Sequence, residues 1–317
     1  MSRAEIVERF EALVAAVSAY SAHEPLFRVE ELDQALGIRD LDGRLRRTRA
    51  LGKLVRRGAL LRLTRRTYAV VERGDFASRP RLVTAVADPY AMVTRMRPDA
   101  TLAYRTALEV YGALPARADR MALYLTRCGG GPRIRVAGGV QTCAVEHPRV
   151  LRRERRWRIG VAVMRRGDAT IRITTRERTF VDALHRWRLV GSWVEIVPAL
   201  LALLRGAVMN WSLVVTYVRR LGRRSLAARV GWFVERTAAD IVPREALASL
   251  EAMRPLGPTY WDWTDHGGRS GGETGRFYRR WNLVVPRHVV ALTGVAVAVR
   301  PSHRAPLADN VRCVESV

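Results

Sequence analysis

Apolar residues recur at intervals of three and four over residues 3–19, where Ile6, Phe10, Leu13, Val14 and Val17 fall on one side of a helix. A shorter stripe of Val29, Leu32, Ala35 and Leu36 predicts a second helix, stopped at Gly37, a residue suited to the left-handed position past a helix end. After Asp40, the residues Leu41, Leu45, Leu51, Leu54 and Val55 supply the apolar side of a third helix that ends at Gly58. Two short β-prone runs follow, residues 59–63 and 68–71, around Thr64-Arg65-Arg66-Thr67. They predict a two-stranded ribbon with a basic tip.

Helix, helix, basic helix and ribbon in this order predict a winged helix-turn-helix over residues 1–78, in which the third helix enters a DNA major groove and the ribbon touches the neighbouring backbone. Beyond Ser78 the pattern changes, and residues 79–317 predict a larger mixed α/β domain, so the whole chain is expected to be α+β. Helical spacing falls at residues 90–96 and 102–111, and strand-like runs at 121–125, 134–136, 159–164 and 171–173. Helices are then predicted at 177–187, 193–204, 211–221, 226–237 and 245–253. The glycine-rich stretch 255–280 reads as a long loop before a last β-prone stretch at 283–299.

Charge changes this picture more than composition does. A 317-residue chain with 48% hydrophobic and 27% charged residues has the make-up of a folded protein of two domains. The net charge of +25, however, points to a polyanionic partner such as nucleic acid. Of the 55 basic residues only Lys53 is a lysine, a bias that base composition of the gene explains but that leaves the excess of positive charge unexplained. Residues 1–40 hold Glu5, Glu8, Glu11, Glu24, Glu30, Glu31, Asp33 and Asp40 against four arginines; residues 41–80 hold twelve bases against Asp42, Glu72 and Asp75. The sign flips at the third helix. There Arg44, Arg46, Arg47 and Arg49 are the candidates for base or groove contact, because arginine forks onto guanine O6 and N7 and the start of a recognition helix lies nearest the base edges. Lys53, Arg56 and Arg57, with Arg62, Arg65 and Arg66 on the ribbon, are the candidate phosphate contacts. A second basic run, residues 149–158, holds six arginines around Glu154 and Trp157 but sits in a turn-like region without a groove-reading pattern.

Enzyme chemistry finds little to stand on. Gly268-Arg269-Ser270-Gly271-Gly272 matches G-x-S-x-G, yet polar residues and glycines flank it where a nucleophile elbow needs a buried strand and a helix. Asp182 and Glu195 could serve a nuclease as paired carboxylates, but both fall in predicted helices, and no lysine follows Lys53 to serve a phosphate loop, a Schiff base or a nuclease site. No catalytic residue and no cofactor is therefore expected. Cys128, Cys143 and Cys313 form no CxxC pair, and the six histidines form no HExxH, so no metal site is expected either. Trp187, Trp193, Trp211 and Trp232 recur along helices as core residues do. The most apolar stretch, residues 189–204, carries Glu195 and Pro198 and is too short to span a membrane, and Glu5, Glu8 and Glu11 interrupt what a secretory signal would need. A cytoplasmic protein without a membrane partner is the expectation.

Several segments together resemble the AbiEi-type antitoxins of abortive-infection (type IV) toxin–antitoxin systems. They are the ribbon from Gly58 to Val70, Asp88-Pro89-Tyr90, Ala103-Tyr104-Arg105-Thr106-Ala107-Leu108-Glu109-Val110-Tyr111-Gly112, Thr174-Thr175-Arg176-Glu177-Arg178-Thr179-Phe180-Val181-Asp182-Ala183-Leu184, and Gly191-Ser192-Trp193-Val194-Glu195. The resemblance spans residues 30–205 and fades over the last hundred, and the expanded arginine content departs from it. It implies a transcriptional autorepressor that binds double-stranded operator DNA, typically an inverted repeat, cooperatively as several copies of a monomer. It also implies a second role, countering a nucleotidyltransferase-fold toxin encoded in the same operon. A nucleic-acid-processing enzyme and a plain transcription factor without a toxin are the alternatives.

Overall fold

The computed structural model describes residues 3–72, 81–82, 88–97, 100–116, 121–126, 133–137, 140–152, 158–166, 169–262, 275–298 and 311–312. Its elements begin with α1 (Arg3–His23), β1 (Leu26–Arg28), α2 (Val29–Ala35), α3 (Leu41–Arg56), β2 (Leu60–Arg62), β3 (Thr67–Glu72) and β4 (Arg81–Leu82). They continue through α4 (Pro89–Met96), β5 (Thr101–Leu102), α5 (Arg105–Val110), β6 (Met121–Thr126), β7 (Arg133–Ala137), β8 (Val140–Glu146), β9 (Val161–Arg166) and β10 (Ala169–Thr174). A helical stretch follows: α6 (Arg176–His185), α7 (Trp193–Arg205), α8 (Trp211–Leu221), α9 (Arg224–Thr237) and α10 (Arg244–Ala252). The chain closes with β11 (Thr259–Tyr260), β12 (Arg276–Tyr278), β13 (Leu283–Val285), α11 (Arg287–Ala298) and β14 (Val311–Arg312). Helices and small sheets alternate, an α+β arrangement.

In the N-terminal unit, β3 is the centre of a small antiparallel sheet and pairs with β1, β2 and β4. Val14 and Val17 of α1, Leu32 of α2, and Ala50, Leu51 and Leu54 of α3 close over Phe27, Leu60 and Tyr68 from the strands. Asp40 starts α3, its carboxylate accepting the Gly43 N–H at 3.3 Å and so satisfying a backbone donor that the helix itself leaves open. The rotation of α3 differs from the pattern reading. Ala50, Leu51 and Leu54 point inward, but Leu41 is 74% and Leu45 52% exposed.

The second core is larger. A seven-stranded mixed sheet runs in the order β14-β9-β10-β5-β6-β8-β7, with β10 parallel to β5 and β6 parallel to β8. Against it lie α5 and α6, and α6 in turn packs on α7, α8 and α9. Phe180, Val181, Ala183 and Leu184 of α6 are completely buried. Trp187, Trp193, Trp261, Trp232 and Tyr278 form a chain of ring contacts with centroids 5.2–5.5 Å apart; of the tryptophans expected in the core, Trp193, Trp211 and Trp232 are buried and Trp187 packs half-buried against them. Gly231 has no alternative here, because a Cβ would sit 2.1 Å from the Trp281 ring.

Two expectations for the C-terminal end are corrected. The stretch 283–299 is strand only over β13; from Arg287 it is helix. Pro286 ends the strand, and the β-branched residues that suggested more of it place Val289 and Thr293 four apart on one helical face, both fully buried beside α7 and α9. The glycine-rich stretch is not all loop. Its two ends form β11 and β12 on either side of β13, while residues 263–274, including the G-x-S-x-G match, lie outside the described residues.

Between the two cores stands α4. Met92, with Met96 beside it, packs on Leu26 and Ala69 of the N-terminal sheet, whereas Tyr90 and Val93 of the same helix belong to the large core. Arg95 of α4 adds ion pairs to Glu31 and, at 3.7 Å, to Glu24. The expected domain boundary near Ser78 falls outside the described residues.

Candidate nucleic-acid interface

The ten basic residues of the third helix and ribbon separate into two groups according to what their side chains meet. Four are engaged with acids of the preceding helices or of α3 itself. Arg47 is buried on the same stripe as Ala50, Leu51 and Leu54, and its guanidinium pairs with Asp33 of α2. The expectation that it reaches base edges is corrected by this geometry: the side chain ties α3 to α2. The signal was present in the sequence, since 47, 50, 51 and 54 share a helical face. Lys53 pairs with Glu11 of α1 and lies 5.4 Å from the centre of the Phe10 ring. That hydrogen bond, with Arg57 adding its charge nearby, holds the Glu11 carboxyl below the usual range. Arg46 pairs with Asp42 one turn earlier at 2.7 Å, and Arg66 with Glu30 at 2.9 Å. Acids of residues 1–40 thus pair with three of the ten bases, and Asp42 of α3 with a fourth.

The remaining side chains point outward. Arg44, Arg49, Arg56, Arg57, Arg62 and Arg65 are exposed, and none makes a salt bridge among the described residues. On α3 the outward stripe reads Leu41, Arg44, Leu45, Thr48, Arg49, Gly52 and Arg56, a single face at spacings of three and four. The ribbon tip is held in shape by its own threonines. Leu63 N–H donates to Thr67 O at 2.9 Å, Arg66 N–H to Thr64 Oγ1 at 3.1 Å, and the hydroxyls of Thr64 and Thr67 meet at 3.0 Å. Val29 N–H donates to Arg66 O at 2.9 Å, which fastens the tip to the start of α2. Arg65 is left exposed at this hydrogen-bonded turn.

A second concentration of charge lies inside the large core, and its chemistry is different. Arg178 is completely buried: its Nε donates to Asp182 Oδ2 at 3.3 Å, Nη1 to Ile159 O at 2.7 Å, and Nη2 meets His147 Nδ1 at 3.1 Å. Tyr217 donates to the other Asp182 oxygen at 2.7 Å. Gly160, at φ +61°, lies so close that a Cβ would sit 2.8 Å from the Arg178 Cβ. Tyr104 is buried with φ +56°, a conformation that side chains rarely adopt, and its hydroxyl accepts from Arg186 at 3.3 Å. Burial pushes that hydroxyl up, so it stays protonated. Nearby, Arg105 donates to Glu109 at 2.9 Å and to Glu195 at 2.8 Å, and this bond, with the Ser192 N–H, holds the Glu195 carboxyl below the usual range.

These contacts assign the two acids considered for a nuclease to other work. Asp182 is 1% exposed with both oxygens taken, and Glu195 closes a capping box at the start of α7 while binding Arg105. They also join the segments that carried the resemblance. Tyr111 donates to Thr174 O at 2.8 Å, and Arg105 reaches Val190 O at 3.1 Å as well as Glu195, so residues 103–112 join both 174–184 and 190–195 in a network that runs from the core to the half-exposed Glu195. Sequence reasoning did not foresee that network, because the pairings connect residues up to 90 positions apart. In the other basic run, Arg152 pairs with Glu146 at 3.0 Å, and residues 153–157 lie outside the described residues. No group of three or more metal-binding side chains occurs among the described residues, and Cys143 is buried as a thiol. No helix among the described residues is long and apolar enough to cross a membrane.

Comparison with known proteins adds information about the fold. No protein-family model matches the chain, and no curated protein matches it. Among solved structures, the crystal structure of the RV2827C protein from Mycobacterium tuberculosis is similar, with a TM-score of 0.54. The match covers 90% of this chain and 94% of that one at 18% identity. A likeness at that identity concerns the course of the backbone.

Proposed function

We propose that the chain is a DNA-binding transcriptional repressor whose N-terminal unit works as a winged helix-turn-helix and whose larger part counters a nucleotidyltransferase-fold toxin from the same operon. The observation that carries the DNA reading is the outward stripe of α3, with Arg44, Arg49 and Arg56 free of salt bridges among the described residues, next to a ribbon whose tip presents Arg65. A helix 16 residues long with one cationic face fits the major groove, and Arg57, Arg62 and Arg65 flank it as phosphate contacts. The antitoxin part rests on the resemblance of residues 30–205 to AbiEi-type antitoxins.

Titration of the full chain against its upstream DNA at several salt concentrations tests the first part. Specific binding with a steep salt dependence is expected, and Arg44→Ala with Arg49→Ala lowers it by a factor of ten or more, each guanine fork being worth about 1–3 kcal/mol. Unchanged affinity in the double variant refutes the assignment of α3. For the second part, co-expression with the neighbouring gene product is the measurement: rescue of growth supports an antitoxin, and a harmless neighbour leaves a repressor alone.

A further inference from the structure

Leu41 and Leu45 pose a physical problem, because a helix that buries Ala50, Leu51 and Leu54 leaves two large aliphatic side chains 74% and 52% exposed on its opposite face. They are neither at a frayed end nor scattered. Leu41 opens α3 directly after its Asp40 cap, and Leu45 stands one turn on, so the two are stacked at i and i+4 at the end of the helix that would enter a groove first. Arg44, Thr48 and Arg49 interleave with them on the same face. Two stacked leucines among cations make a face that is apolar and positive at once, and the cations select what can lie there. A second copy of this chain would bring Arg44 and Arg49 against their own like charges, whereas a duplex brings phosphates and guanine acceptors to the arginines and thymine methyl groups to the leucines. The major groove is the place where a donor-rich fork and an apolar patch find partners within one base step of each other.

Resting on the DNA reading above, we infer that Leu41 and Leu45 are specificity-determining residues that read the C5-methyl groups of thymines beside guanines bound by Arg44 and Arg49. The operator half-site therefore contains thymine adjoining guanine, and its affinity depends on methyl groups as well as on hydrogen bonds. Thr48, between the leucines and Arg49, has its hydroxyl turned back to Arg44 O at 2.8 Å, which leaves its own methyl group to extend the patch.

Selection of binding sites by the full chain from a random duplex library, followed by titration of the selected duplex with each thymine replaced by uracil, is the test. Uracil keeps every hydrogen-bonding group and lacks only the methyl. The expected result is a roughly fourfold loss of affinity at each contacted position, the factor that burial of one methyl-sized group supplies. Leu45→Ala and Leu41→Ala should each abolish the thymine-over-uracil preference at one position and leave the guanine preference intact. Both positions are exposed, so the variants should fold, and circular dichroism checks that they do. Specific binding that is indifferent to uracil at every position overturns this inference while leaving the DNA reading standing. No specific DNA binding at all overturns both. A leucine variant that changes the sedimenting mass of the DNA-free protein and not its base preference assigns the face to a second copy, and that also overturns it.

Discussion

Arginines of α3 and arginines of the large core are the same residue put to opposite uses. On α3, Arg44, Arg49 and Arg56 face solvent with no carboxylate in reach among the described residues; in the core, Arg178 and Arg105 are almost wholly buried and bound to Asp182, Glu109 and Glu195. Net charge does not distinguish them. What does is whether the fold supplies the counter-charge, because a buried guanidinium without one would cost several kcal/mol, while an exposed one costs nothing until a partner draws it out of water.

The comparison breaks most sharply at Arg178. Arg178→Met leaves Asp182 buried with one oxygen unmatched, and a loss of about 3–5 kcal/mol in denaturant unfolding is expected. A variant as stable as the parent would show that the inner network is not a stabilising one. Arg47 sits on the dividing line, on α3 but with the inner kind of environment. Arg47→Ala should cost about 1–3 kcal/mol of stability by stranding Asp33, with DNA affinity little changed at temperatures where the variant is folded. The reverse outcome, lower affinity at full stability, would move Arg47 to the outer group.

Histidine 185 probes the inner region through pH. Burial, with Arg186, Arg223 and Arg229 close by, pushes its imidazole down from 6.5 to about 3. The folded protein therefore binds fewer protons than the unfolded chain between those values. Stability is full above pH 6.5 and declines as pH falls toward 3, by at most about 1.4 kcal/mol per pH unit. His185→Gln should flatten that decline in a series of unfolding curves; an unaltered slope assigns the acid sensitivity elsewhere. The smallest effect on stability belongs to the ribbon. Arg62→Ala with Arg65→Ala should leave unfolding unchanged within about 0.5 kcal/mol, yet make the logarithmic salt dependence of DNA binding shallower by about one unit for each arginine.

Much of the element order is visible in the spacing of apolar residues, and the reason for each omission is local. The strand β1 has three residues, and what makes it a strand is its pairing with β3, forty positions later, a contact no short-range pattern records. In β8, Gln141 and Thr142 interrupt the apolar run, and the strand is held by neighbours on both sides instead, parallel β6 and antiparallel β7. For the candidate interface, the row of bases along α3 is plain from composition. Its division is not, because the apolar side can be drawn through Leu41 and Leu45 or through Ala50, Leu51 and Leu54. Packing against α1 and the ribbon chose the second set, turning Arg47 inward and the first two leucines outward.

The sharing of α4 between two cores governs how the molecule can be taken apart. Met92 plugs a socket lined by Leu26 and Ala69, while Tyr90 and Val93 are anchored in the other body, so the helix acts as a dowel driven into both. A fragment cut at residue 78 would pull that dowel out and leave the socket wet; one that extends through Arg97 would keep it filled. Tilting either body against the other means shearing the same two methionines, and the small unit is consequently carried by the large one like a blade on its handle.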